Sequence, residues 1–292
     1  MPARFSSSYA VLTLIVILVA GCGGETSAPA QPTPEPAPDL RAPAPAAPAT
    51  TAPAPETQPT AAVAGASAER PAAPQATRCD PGAYVRMRTP RLAHGAVVRD
   101  SAQAFRRPGA DPLARFGATN ENGVPTVLGV LGRVVGPGCG ARWYRVQLPM
   151  KPNGIVGYVR ASDVDLHPVR TRILVELGAR LEHLAPVVEE RHPARAAIGS
   201  AATPTPVGSF YVNQRLRPTD PRGPFGPGAV GISAFSEVLT GWAQGGPVAL
   251  HGTNRPELIG QAVSNGCIRL RNDDLERLFA RALPGTPVVV RP

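Results

Sequence analysis

Hydrophobic and polar positions alternate in short runs along most of the chain after residue 79. Side chains on a strand point in turn to its two faces, so a half-buried strand has a hydrophobic residue at every second position. Gly and Pro separate the runs, as is typical of short strands joined by turns. The runs are Ala83–Met87, Thr126–Val135, Trp143–Leu148, Ile155–Val159, Arg172–Leu177, Val207–Val212, Pro247–Leu250 and Thr286–Val290. The pattern therefore predicts a mainly β protein.

Two segments near the carboxy terminus have the features of short helices. Pro256–Val263 begins with proline, which is favoured in the first turn of a helix. Asp273–Ala282 has one apolar face and follows Asn272, a residue type that commonly caps helix N-termini. We therefore expect two short helices among the strands.

The first hydrophobic segment is too short to cross a membrane. Tyr9–Ala20 is apolar apart from Thr13. As a helix, these residues would span about 18 Å, whereas the core of a bilayer is about 30 Å thick. The segment follows a polar start with one cation, Arg4, as in signal peptides. We therefore assign residues 1–21 to an export signal.

The end of this segment, Val19-Ala20-Gly21-Cys22, resembles the lipobox of bacterial lipoproteins. The resemblance implies that the Cys22 thiol is diacylated and becomes the first residue of the mature chain. Two or three acyl chains would hold the protein on the extracytoplasmic face of a membrane in the cell envelope. The alternative is an ordinary secretory signal that is followed by a cysteine by chance.

Residues 23–75 differ in composition from the rest of the chain. Of these 53 residues 13 are Pro and 17 are Ala, with Ala-Pro-Ala-Pro at 42–45 and again at 52–55. Proline fixes φ and lacks a backbone donor, which disfavours both helix and sheet. We therefore expect residues 22–75, which begin with the lipidated Cys22, to form a disordered Pro/Ala-rich linker.

The chain has 4 cysteines, and export would place them in an oxidising compartment. With Cys22 assigned to lipid, Cys79 and Cys139 bracket the middle of the chain, and we expect them to form a disulfide. Cys267 is then left over. A leftover thiol in an exported protein is a liability unless it has a function.

Charge does not indicate nucleic acid as the partner. The 30 Lys and Arg residues against 21 Asp and Glu residues give a formal net charge of +9. The basic residues are spread thinly, however, without a run that alternates with aromatic residues. The sequence also lacks a metal-spaced cluster of His and Cys and a phosphate-binding loop, so we expect no metal and no other cofactor.

Two segments of the middle region, Trp143–Val146 and Gly154–Val159, are similar to the closing strands of bacterial SH3-like domains. The resemblance implies a small β-barrel over residues 76–168, with Asp100–Val124 as a long insertion. In exported cell-wall enzymes such domains bind peptidoglycan or pack against a catalytic domain. A structural spacer without a ligand is the alternative.

The strongest indication of chemistry is a histidine and a cysteine in the last third of the chain. His251 ends one apolar run and Cys267 begins another, 16 positions later. A strand–helix–strand excursion of this length can return the thiol to the imidazole. A neighbouring histidine can lower the pKa of a thiol from about 8.5 and take its proton. The two residues alone fit a buried filler cysteine and a surface histidine equally well.

Neighbouring residues would support this chemistry. Gly266 allows the backbone to bend sharply before the thiol. Backbone N–H groups near Cys267 could stabilise an oxyanion by about 3 kcal/mol. Arg269 could orient a substrate carboxylate or hold the loop with its planar guanidinium.

Both segments, His251–Asn254 and Ser264–Leu270, resemble the signature of the YkuD-type L,D-transpeptidases, and Thr203–Phe210 resembles the Thr-Pro-x-Gly-x-Phe turn of that family. The resemblance covers residues 169–292 and implies a β-sandwich with short helices. It implies that Cys267 is the nucleophile and that His251 is the general base.

The same resemblance implies roles for the neighbours of these two residues. The backbone carbonyl of Gly252 would orient the histidine, and Ser264 and Arg269 match the family pattern. Asn265 stands where many members have a histidine, which puts a contribution from a second histidine in doubt.

The implied substrate is a peptidoglycan stem peptide, and the implied product is a 3→3 cross-link made through a thioester. Water in place of the acceptor amine would give L,D-carboxypeptidase activity. We expect a monomer that serves cell-wall biogenesis.

Other exported proteins share parts of this pattern. Papain-like cell-wall peptidases also carry SH3-like domains, but their cysteine precedes the histidine. Sortases have the order His, Cys, Arg, but with a longer gap and a Thr-x-Thr-Cys motif. A non-catalytic peptidoglycan-binding lipoprotein would keep the fold without turnover.

Overall fold

The computed structural model describes residues 40–41, 79–186, 192–239, 241 and 243–292. The predicted export signal, Cys22 and the predicted linker lie outside these residues, apart from Leu40–Arg41. These two residues form a short strand, β1, that pairs antiparallel with Arg217 and Pro218. The disordered linker over residues 22–75 stays a prediction.

The first sheet has eight antiparallel strands, as the alternating pattern predicts. Along the sheet their order is β5-β4-β8-β7-β6-β3-β9, and β2 also pairs with β6. The strands are β2 (Tyr84–Arg86), β3 (Ala93–Val98), β4 (Ser101–Arg107), β5 (Ala110–Gly117), β6 (Val127–Val135), β7 (Ala141–Gln147), β8 (Val156–Arg160) and β9 (Val164–Val169). The predicted insertion Asp100–Val124 contributes a hairpin, β4–β5, to this sheet. The SH3-like assignment of residues 76–168 stays a prediction.

The second sheet begins one residue after β9 and closes on itself. Its strands follow the order β13-β14-β15-β17-β12-β11-β10-β18, and β18 pairs with β13 again. The strands are β10 (Thr171–Glu176), β11 (Leu181–Pro186), β12 (His192–Gly199), β13 (Gly208–Pro218), β14 (Ala229–Phe235), β15 (Pro247–His251), β16 (Ala262–Ser264), β17 (Ile268–Leu270) and β18 (Pro287–Arg291). A mainly β fold, as predicted from the alternation, is confirmed.

One of the two predicted helices is confirmed. Helix α1 (Asn272–Arg281) buries an apolar face against the second sheet, as expected for its spacing. Its cap differs from the prediction, because Arg271 is the N-cap residue and Asn272 is the first helical residue. The Asn272 side chain is used elsewhere: its Oδ1 accepts a hydrogen bond of 2.8 Å from the Thr253 backbone N–H.

The predicted helix Pro256–Val263 is wrong. Proline does begin a helical turn, but this turn ends at Leu258 as a 3₁₀ helix, and Ala262–Ser264 forms strand β16. Strand β16 pairs in parallel with β12. A helix of eight residues without an apolar face has little to stabilise it, so the pairing with β12 determines the local structure.

Tyr211 on β13 packs the second sheet against the first. Its side chain is buried, and its hydroxyl donates a hydrogen bond of 3.1 Å to the backbone oxygen of Val127 on β6. Gly129 on β6 leaves room for the ring, because a Cβ atom there would lie 2.6 Å from it. Burial raises the pKa of Tyr211, so the hydroxyl keeps its proton and remains a donor.

Polar side chains of the first sheet also bind backbone groups of the second. Gln147 Nε2 donates 2.8 Å to the Ser209 oxygen. The Asn153 amide donates to the Phe235 oxygen and accepts from its N–H, each at 2.8 Å. Phe235 ends β14, which is the neighbour of β15. The first sheet therefore supports the strand beside the one that carries His251.

A disulfide joins Cys79 to Cys139 across a sequence separation of 60 residues. It ties the segment before β2 to the turn between β6 and β7. On the chain-entropy model, closure of a loop of this length stabilises a fold by about 4 kcal/mol. Within the described residues, none of the helices has the length and apolar character needed to cross a membrane.

Candidate active site

Strands β15 and β17 are neighbours in the second sheet, and their register predicts that His251 and Cys267 lie on the same face. The two strands run in parallel, with Leu250 opposite Ile268 and His251 opposite Arg269. Cys267 immediately precedes β17, two positions before Arg269, and alternate positions on a strand point the same way. Adjacent strands about 4.8 Å apart and a two-residue offset place the two Cα atoms roughly 8 Å apart, within reach of an imidazole and a thiol.

Burial along these strands supports the shared face. Leu250, Ile268 and Leu270 point the other way, into the hydrophobic core. Cys267 is half-buried, so the residue is not sealed in the hydrophobic core. The spacing in sequence predicts that the excursion returns the cysteine to the histidine strand, and the sheet pairing agrees with that prediction.

His251 is held in one tautomer by its own loop. Its Nδ1 lies 2.6 Å from the backbone oxygen of Gly252. Because a carbonyl oxygen only accepts, Nδ1 carries the proton and Nε2 is left as the basic nitrogen. This is the orientation by Gly252 that the family resemblance implies.

His251 is buried, and burial lowers its pKa from 6.5 to about 4. The hydrogen bond to Gly252 opposes this shift, and the charge of Arg269 adds to it. Phe225 covers the imidazole, with ring centroids 4.7 Å apart. The site therefore holds a neutral imidazole at neutral pH.

Ser264 organises the turn that leads to the thiol. Its side chain is 1% exposed, and its hydroxyl donates a hydrogen bond of 2.5 Å to the backbone oxygen of Cys267. The hydroxyl oxygen of Ser264 in turn accepts a bond of 3.1 Å from the Gly266 N–H. Asn265 is half-buried between these residues. The Ser264 hydroxyl thus binds two backbone groups of the turn, the Gly266 N–H and the Cys267 oxygen.

Gly266 has a φ of 109°, a conformation that favours glycine and confirms the predicted sharp bend before the thiol. Its N–H, however, is already bonded to Ser264 Oγ. This bond removes the Gly266 N–H from the set of oxyanion donors that the sequence suggests. The oxyanion donors of the site must therefore come from other groups.

The segment that resembles the Thr-Pro-x-Gly-x-Phe turn lies beneath the cysteine turn. Thr203 Oγ1 donates 2.9 Å to the backbone oxygen of Ser264, and the Ser200 N–H donates 2.9 Å to the same oxygen. Thr205 Oγ1 accepts 2.9 Å from the Gly199 N–H. Both threonines are buried. The motif therefore helps to position the cysteine turn.

Sequence reasoning missed three supporting residues. Thr203 is quoted for the family resemblance but receives no role, and Asn272 is interpreted only as a cap. Phe225 is missed entirely, although an aromatic residue in the Gly- and Pro-rich segment 222–228 is a detectable signal. Arg269 lies opposite His251 in register and lowers its pKa, so its charge acts on the histidine.

Replacement of Ser264 with alanine is expected to lower the acylation rate of Cys267 by about 10- to 100-fold and to destabilise the fold by about 1–3 kcal/mol. The substitution leaves a buried N–H and a buried carbonyl without their partner. Acylation by a carbapenem, followed by intact-mass spectrometry, measures the rate, and urea unfolding measures the stability. The exposed Ser209 supplies the matched control, Ser209→Ala, which should change neither; equal rates for both variants would contradict the role of the Ser264 hydroxyl.

Sequence comparisons relate the second sheet to a known family of catalytic domains. Residues 170–290 match the model of the YkuD family, described as the L,D-transpeptidase catalytic domain. The chain is 34% identical over 126 residues to YkuD of Bacillus subtilis, an inferred L,D-transpeptidase, which covers 43% of this chain and 69% of that protein. It is 38% identical over 96 residues to YkuD of Bacillus licheniformis, which covers 33% of this chain and 50% of that protein.

Solved structures give a weaker comparison. An L,D-transpeptidase from Mycobacterium smegmatis matches 52% of this chain and 78% of its own, at 16% identity and a TM-score of 0.35. A structural likeness at this level does not establish the family, so the family membership depends on the sequence comparisons. With a family model over the second sheet and a 34% identical relative covered over 69% of its length, the chain belongs to the YkuD family of L,D-transpeptidases.

Proposed function

We propose that this protein is a peptidoglycan L,D-transpeptidase that forms 3→3 cross-links through a thioester on Cys267. The thiol attacks the carbonyl carbon of the third residue of a tetrapeptide stem. The amide bond to the terminal D-alanine breaks, and D-alanine leaves with its free amino group. An amine of a second stem then attacks the thioester and releases the thiol. The reaction exchanges one amide for another, so it needs no oxidant and no external energy source.

The observation that supports this function is the shared face of β15 and β17. It carries a half-buried thiol and a buried imidazole whose tautomer is fixed. Nucleophilic catalysis by a thiol needs a base that can take its proton, and the Nε2 nitrogen of His251 is the candidate for this role.

Proton transfer in this site accompanies bond formation. A resting thiolate–imidazolium pair, which the sequence suggests, requires a histidine that holds a proton at neutral pH. Burial instead lowers the pKa of His251 to about 4, which favours a neutral imidazole at neutral pH over a resting imidazolium. The thiol proton passes to Nε2 as sulfur bonds to the carbonyl, and the imidazolium then protonates the leaving D-alanine nitrogen.

Incubation with purified tetrapeptide muropeptides tests the proposal. Mass spectrometry of the products should detect 3→3 linked dimers together with free D-alanine. Tripeptide without dimer would indicate that water replaces the acceptor amine and that the protein is an L,D-carboxypeptidase. A substrate that is returned unchanged would contradict both activities.

We also propose that acyl chains on Cys22 anchor the protein to the extracytoplasmic face of a membrane. The proposal is supported by the apolar run Tyr9–Ala20 and by the small residues before Cys22. The Pro- and Ala-rich residues 23–75 would then separate the enzyme from the membrane surface.

Replacement of Cys22 with alanine is expected to move the protein from the membrane fraction to the soluble fraction. Anchoring by several acyl chains is effectively stable, and the substitution removes the thiol to which they attach. Immunoblots of fractionated cells measure the distribution, with Cys267→Ala as a control that should stay in the membrane fraction. Retention of the Cys22 variant in membranes would overturn the anchor.

A further inference from the structure

A cavity of about 400 Å³ opens beside the loop that follows His251. The segment between β13 and β14 contributes Arg222 to its wall, and the segment around the start of α1 contributes Arg271 and Asp273. Polar and charged side chains line it together with Pro221 and Pro256, and its position makes it part of the surface around the candidate active site.

The cavity is close to the reacting groups and fixed relative to them. Thr253 and Asn254 line it, and they follow His251 by two and three residues. Three residues of chain reach at most about 11 Å. The bond from the Thr253 N–H to Asn272 Oδ1 joins this loop to α1, so the two walls of the cavity hold a constant spacing.

The charge in the cavity is positive. Arg222 and Arg271 line it together with one carboxylate, Asp273. Arg222 also lies 4.0 Å from Asp220, and both of these side chains are exposed. Among the described residues, no hydrogen bond or ion pair engages the Arg271 guanidinium. Arg271 is therefore the cation that is available to a ligand.

We propose that this cavity binds a carboxylate of the peptidoglycan stem, with Arg271 as the principal contact and Arg222 as a second. The inference rests on the proposed function, because it assigns a subsite to the same substrate. A planar guanidinium binds a carboxylate through two parallel hydrogen bonds, which fixes orientation as well as position. The reacting carbonyl belongs to the third stem residue, and the three residues up to it span about 10 Å when extended, so a stem held at Cys267 can reach towards the cavity.

Binding of a tetrapeptide muropeptide to the full chain with Cys267→Ala tests the subsite without turnover. In this background Arg271→Gln is expected to weaken binding by about tenfold, measured by calorimetry. The affinity of the Arg271→Lys variant should lie between that of the chain with Arg271 and that of Arg271→Gln, because lysine keeps the charge but cannot donate two parallel hydrogen bonds. Arg277→Gln is the matched control: Arg277 lies on α1, pairs with Asp274 and does not line the cavity.

Amidation of each stem carboxylate in turn identifies which one is bound. Amidation of the bound carboxylate should weaken binding by about tenfold in the chain that keeps Arg271. It should cause no further loss of affinity in the Arg271→Gln variant. In the enzyme with Cys267 intact, Arg271→Gln should raise KM and leave the rate of alkylation by neutral iodoacetamide unchanged.

The outcomes separate the subsite from the activity. An active enzyme whose Arg271→Gln variant keeps the same KM and the same affinity overturns the subsite alone. A wild-type chain that neither binds nor converts stem peptides overturns the proposed function and the subsite with it.

Discussion

Replacement of Cys267 with alanine is expected to abolish 3→3 dimer formation, with a loss of about 10⁶-fold as in other enzymes that lose a covalent nucleophile. Alanine cannot form the thioester, so both transfer and hydrolysis should stop. Intact-mass spectrometry gives a second measurement: a carbapenem has an acylating carbonyl and should add to the wild-type chain but not to the variant.

The variant also has a built-in check on folding. Cys267 is only half-buried and takes no part in the disulfide, so its replacement with alanine should leave the melting temperature within a few degrees of the wild type. Undiminished dimer formation by a folded Cys267→Ala variant would show that another group is the nucleophile.

Replacement of His251 with glutamine is expected to lower the rate of carbapenem acylation by about 10²- to 10⁴-fold while the adduct still forms slowly. Loss of a general base typically costs this much, and the thiol remains in place. Glutamine can still donate to the Gly252 oxygen, so the loop should keep its conformation. The time course of adduct mass measures the rate, and acylation as fast as in the wild type would exclude His251 as the base.

The same residue makes stability depend on pH in a defined window. The pKa of His251 is about 4 in the folded chain, against the ordinary histidine value of 6.5 when the chain is unfolded, so the unfolded chain binds more protons between these values. Stability from the buried neutral imidazole is present above pH 6.5 and is lost as the pH falls towards 4, by about 3 kcal/mol in all. Urea unfolding of wild type and His251→Gln across this range should show the smaller decline in the variant.

The alternating pattern predicts the strands well because burial of one face is a local property of the sequence. The runs at Trp143–Leu148 and Thr286–Val290 match β7 and β18 to within two residues at either end. The helix prediction at Pro256–Val263 fails because β12 pairs with Ala262–Ser264, a contact between residues about 60 positions apart that no local pattern contains.

In the candidate site, too, local patterns are predictable from the sequence and contacts between distant segments are not. The 16-residue spacing of His251 and Cys267 predicts their return to one face, and the parallel register of β15 and β17 agrees. The polar contacts of the site are less accessible to sequence reasoning. The bonds from Thr203 to Ser264 and from Thr253 to Asn272 join distant segments, and a side-chain hydrogen bond leaves no periodic signal.

Burial of Tyr211 against Gly129 has a consequence for genetic experiments. A strain that produces only the segment from residue 170 onwards would expose this ring and the backbone groups that Gln147 and Asn153 satisfy. The truncated polypeptide would then be a target for cellular proteases. A loss of cross-links in such a strain would thus reflect lowered protein abundance, and point substitutions are the sounder way to assign a role to the first sheet.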